Sequence, residues 1–214
     1  YALTNQRENY WCERVFAPWP DFEQIMREHD IPLYGLESLE PIRDFDFIGF
    51  TLQYELSYTN ILNMLDLAGV PVYAKDRGTA IAPLVVAGGP CACNPEPLAD
   101  FFDLFILGEG EEVNLELMDL YYRMRQEGAD RQAFLRAAAR IEGIYVPSLY
   151  EVTYHPDGTI QAVTPKDGAP ASPPGAANRP GAAPCGIRFP GGRLQCFLKR
   201  RRMLHSLWER KRCS

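Results

Sequence analysis

Two short apolar runs that each end in a glycine loop constrain the fold of this 214-residue chain more than any other feature. Residues 84–87 (LVVA) end on Gly88-Gly89-Pro90, and residues 104–107 (LFIL) end on Gly108-Glu109-Gly110-Glu111. Short apolar runs bounded by turn residues are typical of buried strands. In open parallel sheets, ligands bind at the edge where the strands finish. The stretch therefore predicts one side of a ligand site.

Strand and helix patterns alternate in the sequence that precedes this stretch. Residues 11–17 and 45–52 are further apolar runs that predict strands. A helical pattern follows each run, the first capped by Asp21 and the second by Ser57 or Thr59. Alternating strands and helices predict an α/β fold with a doubly wound parallel sheet and helical crossovers.

Weaker patterns predict the remaining elements. In the helix after Asp21, the residues Phe22, Ile25 and Met26 share one face, which we expect to be buried. The other predicted elements are an extended piece at 31–36, a helical patch at 98–102, helices at 113–126 and 131–141 (the latter capped by Asp130), and a β-hairpin of strands 150–154 and 159–163.

Composition predicts a globular cytoplasmic protein. The apolar fraction is 46% and the charged fraction is 23%, both ordinary values for a globular domain. The apolar runs are shorter than a membrane span, and no signal peptide is visible, so no membrane partner is expected. The six cysteines do not form a paired framework, and Cys91 and Cys93 are too close in sequence for an ordinary disulfide. Reduced cytoplasmic thiols follow from this pattern.

The charge divides the chain into two parts. Residues 171–214 contain ten Lys or Arg and one acid, a net charge of +9, whereas residues 1–170 contain 12 basic and 27 acidic residues, a net charge of −15. From about residue 168 the sequence is rich in Ala, Pro, Gly and Arg and has no apolar periodicity. We predict three parts: an α/β domain at 1–142, a hairpin linker at 143–167 and a low-complexity, irregular basic tail at 168–214.

The predicted chemistry lies in three loops at the carboxyl edge of the sheet. Glycine lets a ligand approach the backbone because no Cβ intervenes, although the same glycines also suit simple turns. The candidate cofactor-binding residues are Thr51, Leu52, Gln53, Tyr54, Gly88, Gly89, Pro90, Cys91, Gly108, Glu109, Gly110 and Glu111. No histidine has a recognisable catalytic partner, so we predict neither catalytic nor metal-ligating residues.

Nucleotide binding at the glycine loops is a weaker alternative. The loop at 108–111 lacks the third glycine of the dinucleotide fingerprint, because Val113 occupies that position. Its two carboxylates also disfavour a phosphate group.

At these loops the chain resembles the cobalamin-binding-type domain that precedes radical SAM domains. The resemblance rests on IGFTLQYELSYTNILNMLDLAG (48–69) and VVAGGPCACNPEPLADFFDLFILGEGEE (85–112). It extends through residues 13–38 and 142–160 to one uncharacterised branch of these proteins, and covers about 11–165. The resemblance implies a flavodoxin-like (Rossmann-like) fold, with cobalamin facing the three loops. It also implies a radical SAM domain as the partner, which holds the [4Fe–4S] cluster and S-adenosylmethionine.

The chain departs from that family in three places. The Asp-x-His-x-x-Gly loop of base-off cobalamin domains is absent, and so is the Cys-x-x-x-Cys-x-x-Cys motif of the cluster. The family also has a first strand and most of a helix before the Trp11 region. We therefore expect an N-terminally truncated domain, inactive by itself, whose sheet has lost a central strand.

The basic tail allows two interpretations. The abrupt change in composition predicts that residues after about 170 are a frame-shifted reading, in which case another frame of the DNA encodes the cluster motif nearby. The alternative is a genuine tail that binds RNA or an acidic partner, with salt-dependent affinity. For the whole chain, the two functions left open are a cofactor-domain fragment of a cobalamin-type radical SAM enzyme and a degenerate scaffolding module that binds a protein and no cofactor.

Overall fold

A six-stranded sheet forms the centre of the chain, with strand order β1-β8-β2-β3-β4-β5. The structure is a computed structural model that describes residues 1–166, 168–171 and, for the backbone alone, 195–200. The strands are β1 (Tyr10–Val15), β2 (Phe47–Thr51), β3 (Leu84–Gly88), β4 (Leu104–Ile106), β5 (Ile144–Tyr145) and β8 (Gln195–Arg200), while β6 (Tyr150–Tyr154) and β7 (Ile160–Pro165) form a separate antiparallel hairpin.

The central β2-β3-β4 part of the sheet is parallel, as the alternating pattern predicts. Strands β2, β3 and β4 pair in parallel, and β5 runs antiparallel to β4. Strand β8 is antiparallel to both β1 and β2, so β1 and β2 point the same way. The architecture is an α/β sheet of the flavodoxin-like type followed by a hairpin, which confirms the predicted fold class.

Among the residues that the structure describes, five helices flank the sheet: α1 (Ala2–Asn5), α2 (Pro20–Glu28), α3 (Tyr58–Leu67), α4 (Gly110–Gln126) and α5 (Arg131–Ala138). Helices α2 and α3 lie side by side, because Arg27 of α2 donates hydrogen bonds to Asn63 (2.8 Å) and Asp66 (2.9 Å) of α3. Helix α4 packs on the sheet through Tyr121, whose ring lies 4.8 Å from that of Phe47. The carboxyl ends of β2, β3 and β4 all lead towards helical segments at one edge of the sheet.

A buried ion cluster joins the amino ends of β3 and β4. Asp103, directly before β4, accepts hydrogen bonds from Arg77 (2.9 Å) and Arg131 (2.8 Å) and from the backbone N–H of Val85 (2.7 Å). Both guanidinium groups also donate to backbone carbonyls, such as that of Pro83. The cluster therefore fixes the loop between α3 and β3 and the start of α5 against the sheet.

Several local predictions are wrong. The predicted helical patch at 98–102 is instead a single 3₁₀ turn at Glu96–Leu98, because Pro95 and Pro97 fix the backbone one turn earlier. Residues 31–36 form no strand and contribute only an isolated bridge between Tyr34 and Pro41. Helix α5 ends at Ala138 rather than Ile141.

Of the predicted helix N-caps, one makes a side-chain capping bond and the others do not. Asp130 accepts a hydrogen bond from the backbone N–H of Ala133 (2.7 Å), which confirms its predicted role. Asp21, in contrast, lies inside the first turn of α2, whose N-cap is Trp19. The N-cap Ser57 makes no side-chain capping bond to α3 and donates to the carbonyl of Tyr54 (2.8 Å) instead.

The sequence patterns did not predict β8. This strand lies inside the sheet between β1 and β2, and it pairs with β1 from Tyr10↔Arg200 to Val15↔Gln195. Apart from residues 168–171 and β8, the predicted irregular tail lies outside the described residues, as do Cys185, Cys213 and His205. The predicted domain boundaries remain predictions.

Candidate functional site

A cavity of about 400 Å³ opens at the carboxyl ends of β2, β3 and β4. Half of the twelve predicted site residues line it: Thr51, Gly88, Gly89, Gly108, Gly110 and Glu111. The other half lie elsewhere along the same loops: Leu52, Gln53, Tyr54, Pro90, Cys91 and Glu109. The structure thus brings the three predicted loops together around one space, and their role in binding stays a prediction.

Two backbone hydrogen bonds hold the first and second loops together. The N–H of Leu52 donates to the carbonyl of Gly88 (2.7 Å), and the N–H of Cys91 donates to the carbonyl of Leu52 (2.9 Å). The side chain of Leu52 is fully buried in the core. Leu52 therefore positions the loops and does not face a ligand.

Gly89 is required by this contact between the loops. Its φ of +97° lies in the left-handed region that favours glycine, and a Cβ there would lie 3.1 Å from the carbonyl oxygen of Leu52. Any side chain at this position would push the two loops apart. The Gly-Gly-Pro sequence thus has a structural role in shaping one wall of the cavity.

The third loop leaves open space above its backbone. Gly108 has a φ of +102°, and a Cβ there would have no heavy atom within 4 Å. Helix α4 begins at Gly110 with Glu109 as its N-cap, and Glu111 and Glu112 lie in its first turn. A helix N-terminus favours an anion, but these carboxylates already provide negative charge there. The loop therefore suits a polar, uncharged group better than a free phosphate.

The far wall of the cavity was not predicted from the sequence. This wall consists of Tyr1 (the N-cap of α1), Thr4 of α1, Cys12 of β1, and Asn114, Leu117 and Met118 of α4. Asn114 lies one helical turn after Gly110, and its Nδ2 would be 2.7 Å from a Cβ at that glycine. A glycine four residues before a polar residue on a helix is the one sequence signal for this contact; α1 gave no such signal.

Cys91 lies near Tyr58 at the start of α3. Burial raises the pKa of the Tyr58 phenol, and the neighbouring charges of Cys91 and Glu55 raise it further. The phenol is therefore neutral at physiological pH, and this corner of the site carries no tyrosinate.

The described histidines lie away from the cavity. His29 is the C-cap of α2, and His155 is in the turn of the hairpin. Within residues 1–166 and 168–171, no group of three or more His, Cys, Asp or Glu side chains is arranged to hold a metal ion. The described part of the cavity therefore offers backbone, amide, hydroxyl, thiol, carboxylate and apolar contacts and no histidine ligand.

Residues 1–147 match the family of radical SAM proteins, N-terminal domain. The chain belongs to this family. A relative from Methanocaldococcus jannaschii, an uncharacterized protein, is 40% identical over 97 residues, which are 44% of this chain and 20% of the relative. The match thus spans a fifth of that relative's length.

No solved structure matches the chain. In the described part of the chain, no helix is both long enough and apolar enough to cross a membrane. The family membership confirms the predicted relation to radical SAM proteins, and the finer prediction of a cobalamin-binding type goes beyond it.

Proposed function

We propose that this chain is the cofactor-binding module of a radical SAM protein and that the cavity receives part of a cobalamin molecule. The observation that supports the proposal is the convergence of three glycine-bearing or polar loops on one cavity at the carboxyl edge of the sheet. Ligands of open α/β sheets bind at this edge.

The residues fit one portion of such a cofactor. A whole corrinoid is larger than a cavity of about 400 Å³, so only one arm of it can enter, with the ring outside. Gly88, Gly108 and Gly110 leave the walls free of side chains, and Asn114 offers an amide to polar groups of the ligand. When bound, the corrinoid supplies a cobalt ion that can carry an alkyl group. The described histidines, His29 and His155, do not line the cavity, so neither would hold the cobalt.

The radical chemistry would belong to a further domain. The chain has no Cys-x-x-x-Cys-x-x-Cys motif, and members of the matched family are N-terminal parts of radical SAM proteins. In this proposal a partner radical SAM domain holds the [4Fe–4S] cluster and S-adenosylmethionine, and the present chain binds and orients cobalamin beside it.

A titration with hydroxocobalamin, followed by its visible absorption, tests the proposal. Gly88 lines the cavity, and a Cβ there would lie 3.7 Å from its nearest neighbour, the carbonyl oxygen of Ile106. The Cβ of Gly88→Leu therefore fits without a clash, and the rest of the side chain narrows the cavity. We expect a saturable spectral shift with the unmodified chain and at least about tenfold weaker binding for Gly88→Leu.

Gly78→Leu is the matched control, because Gly78 is exposed and a Cβ there would have no heavy atom within 4 Å. This variant should bind hydroxocobalamin like the unmodified chain. Absence of any saturable shift, or equal affinity in all three proteins, would refute cobalamin binding at this cavity.

Two exposed apolar side chains favour a second candidate, a scaffolding module that binds a protein and no cofactor. Trp19 is 81% exposed and Leu56 is 85% exposed, and they lie in the segments that follow β1 and β2 at the carboxyl edge. Contiguous exposed apolar surface marks protein-interaction sites, and this second function requires Trp19 and Leu56 to belong to one such patch. If this function is correct, Trp19→Ala with Leu56→Ser abolishes co-purification with a radical SAM domain, while hydroxocobalamin gives no spectral shift.

A further inference from the structure

A second and larger cavity lies at the opposite end of the sheet from the glycine loops. Its volume is about 690 Å³, and it lies between the α/β domain and the hairpin of β6 and β7. Its lining includes Asp103 and Arg131, which mark the amino ends of β3 and β4. We call this cavity the hairpin groove. None of the predicted cofactor-binding residues lines it.

Tyrosine rings form much of the hairpin groove. Tyr145 and Tyr150 are buried in its floor with ring centroids 5.4 Å apart, while Tyr73 and Tyr154 are about half exposed at its rim. Hydrogen bonding to Glu96, together with burial, raises the pKa of Tyr154. Burial and the charge of Glu96 likewise raise the pKa of Tyr145. Tyr145 and Tyr154 are therefore neutral phenols at physiological pH.

A carboxylate lies among these rings. Glu96 accepts a hydrogen bond from the hydroxyl of Tyr145 (3.0 Å) and another from that of Tyr154 (2.9 Å). Both bonds come from phenol hydroxyls, so neither of them pairs the carboxylate with a positive charge. Asp100, also in the lining, is exposed and adds a second negative charge.

The positive groups of the groove are already engaged. Lys166 donates to the carbonyl of Ser148 (3.1 Å), and Arg131 is paired with the buried Asp103. The Nζ of Lys75 lies 5.4 Å from the centroid of the Tyr73 ring, so an aromatic face at this rim already holds an ammonium group. The groove thus has the two features that bind organic cations, neutral aromatic faces and nearby carboxylates.

We propose that the hairpin groove binds a small organic cation bearing an alkylated ammonium group, with Tyr73 and Tyr154 contacting the cation and Glu96 balancing its charge. Lys75 would compete with this ligand for the aromatic rim. The site is independent of the cavity at the glycine loops, since the two lie at opposite ends of the sheet.

Titration of the full chain with tetramethylammonium chloride, followed by NMR chemical shifts against a sodium chloride reference, tests this site. We expect saturable shifts at Glu96, Tyr145 and Tyr154. Glu96→Gln should weaken binding about tenfold, because it removes the charge while the amide can still accept from one phenol and donate to the oxygen of the other. Lys75→Gln should tighten binding about threefold, because it removes a like charge and a competitor.

Glu8→Gln is the matched control, since Glu8 is an exposed acid in the segment between α1 and β1. The affinity of this variant for tetramethylammonium should equal that of the unmodified chain. If Glu96→Gln does not fold, as judged by thermal unfolding, Asp100→Asn replaces it and should weaken binding about threefold. The proposal is overturned if no saturable shift occurs or if all variants bind tetramethylammonium equally. It is also overturned if sodium phosphate causes the shifts and Lys75→Gln abolishes them, because the groove would then be an anion site.

Discussion

At the scale of single residues, Asp103 stabilises the fold most directly. It is almost fully buried between two buried guanidinium groups, and it accepts a hydrogen bond from each and a third from the sheet backbone. Removing one member of such a cluster leaves buried charges uncompensated. Asp103 precedes an apolar run in the sequence, which gives no sign that Arg77 and Arg131 converge on it.

We predict that Asp103→Asn lowers the free energy of unfolding by about 3–5 kcal/mol. Urea denaturation measures this value. Asp100→Asn is the control, because Asp100 is exposed and its substitution should change stability by less than about 0.5 kcal/mol. Equal losses in the two variants would contradict a special role for the buried cluster.

A second residue-scale prediction concerns Gly89. Gly89→Ala places a Cβ 3.1 Å from the carbonyl oxygen of Leu52 at a φ of +97°, so it should destabilise the fold by about 1–3 kcal/mol. Gly78→Ala, which has open space around its Cβ, should be close to neutral. Thermal unfolding compares the two variants, and similar midpoints would show that the loops tolerate the side chain.

The buried tyrosines predict a loss of stability at alkaline pH. Burial, assisted by Glu96 for Tyr145 and by Asp46 for Tyr121, raises the pKa of each phenol above its ordinary value near 10. A raised folded-state pKa contributes stability that is fully present below the unfolded pKa and is lost as pH rises past it. We therefore expect urea midpoints to fall above about pH 10. Tyr145→Phe should reduce this fall of the urea midpoint with rising pH. An unchanged fall would contradict its assignment to the Tyr145 phenol.

At the scale of elements, the sequence predicted what local pattern determines. Strands β2, β3 and β4 were predictable because each lies in an apolar run. Helix α4 was predictable because its apolar residues recur at helical spacing over a long stretch. Burial within α2 was not: Phe22 and Ile25 are 41% and 47% exposed, and only Met26 of the predicted face is buried. Spacing defines a shared face, but the neighbours present in three dimensions decide how much of it is covered.

Strand β8 is the element that sequence reasoning could not place, because its pairing depends on residues far away in the chain. It supplies the ladder partner of both β1 and β2, so its removal exposes two strand edges. We predict that a chain ending at residue 171 has faster amide hydrogen exchange throughout β1 than the full chain. A chain ending at residue 200 should keep the protection, and equal exchange in both truncated chains would contradict the pairing.

At the scale of the whole molecule, the sheet separates two cavities. The three loops of the carboxyl edge were predictable because each follows a recognisable strand. The other wall of that cavity was not, since α1 and Asn114 reach it only through the packing of helices against the sheet. The hairpin groove escaped prediction for the same reason: its tyrosines come from segments more than 70 residues apart.

Hydrogen–deuterium exchange of the full chain, with and without hydroxocobalamin, tests the central proposal most directly, because it reports where the cofactor binds. We expect slower exchange in the three loops at 51–54, 88–91 and 108–111, and unchanged exchange in the hairpin at 150–165. Unchanged exchange in all three loops, or protection confined to the hairpin, would contradict a cobalamin site at the carboxyl edge of the sheet.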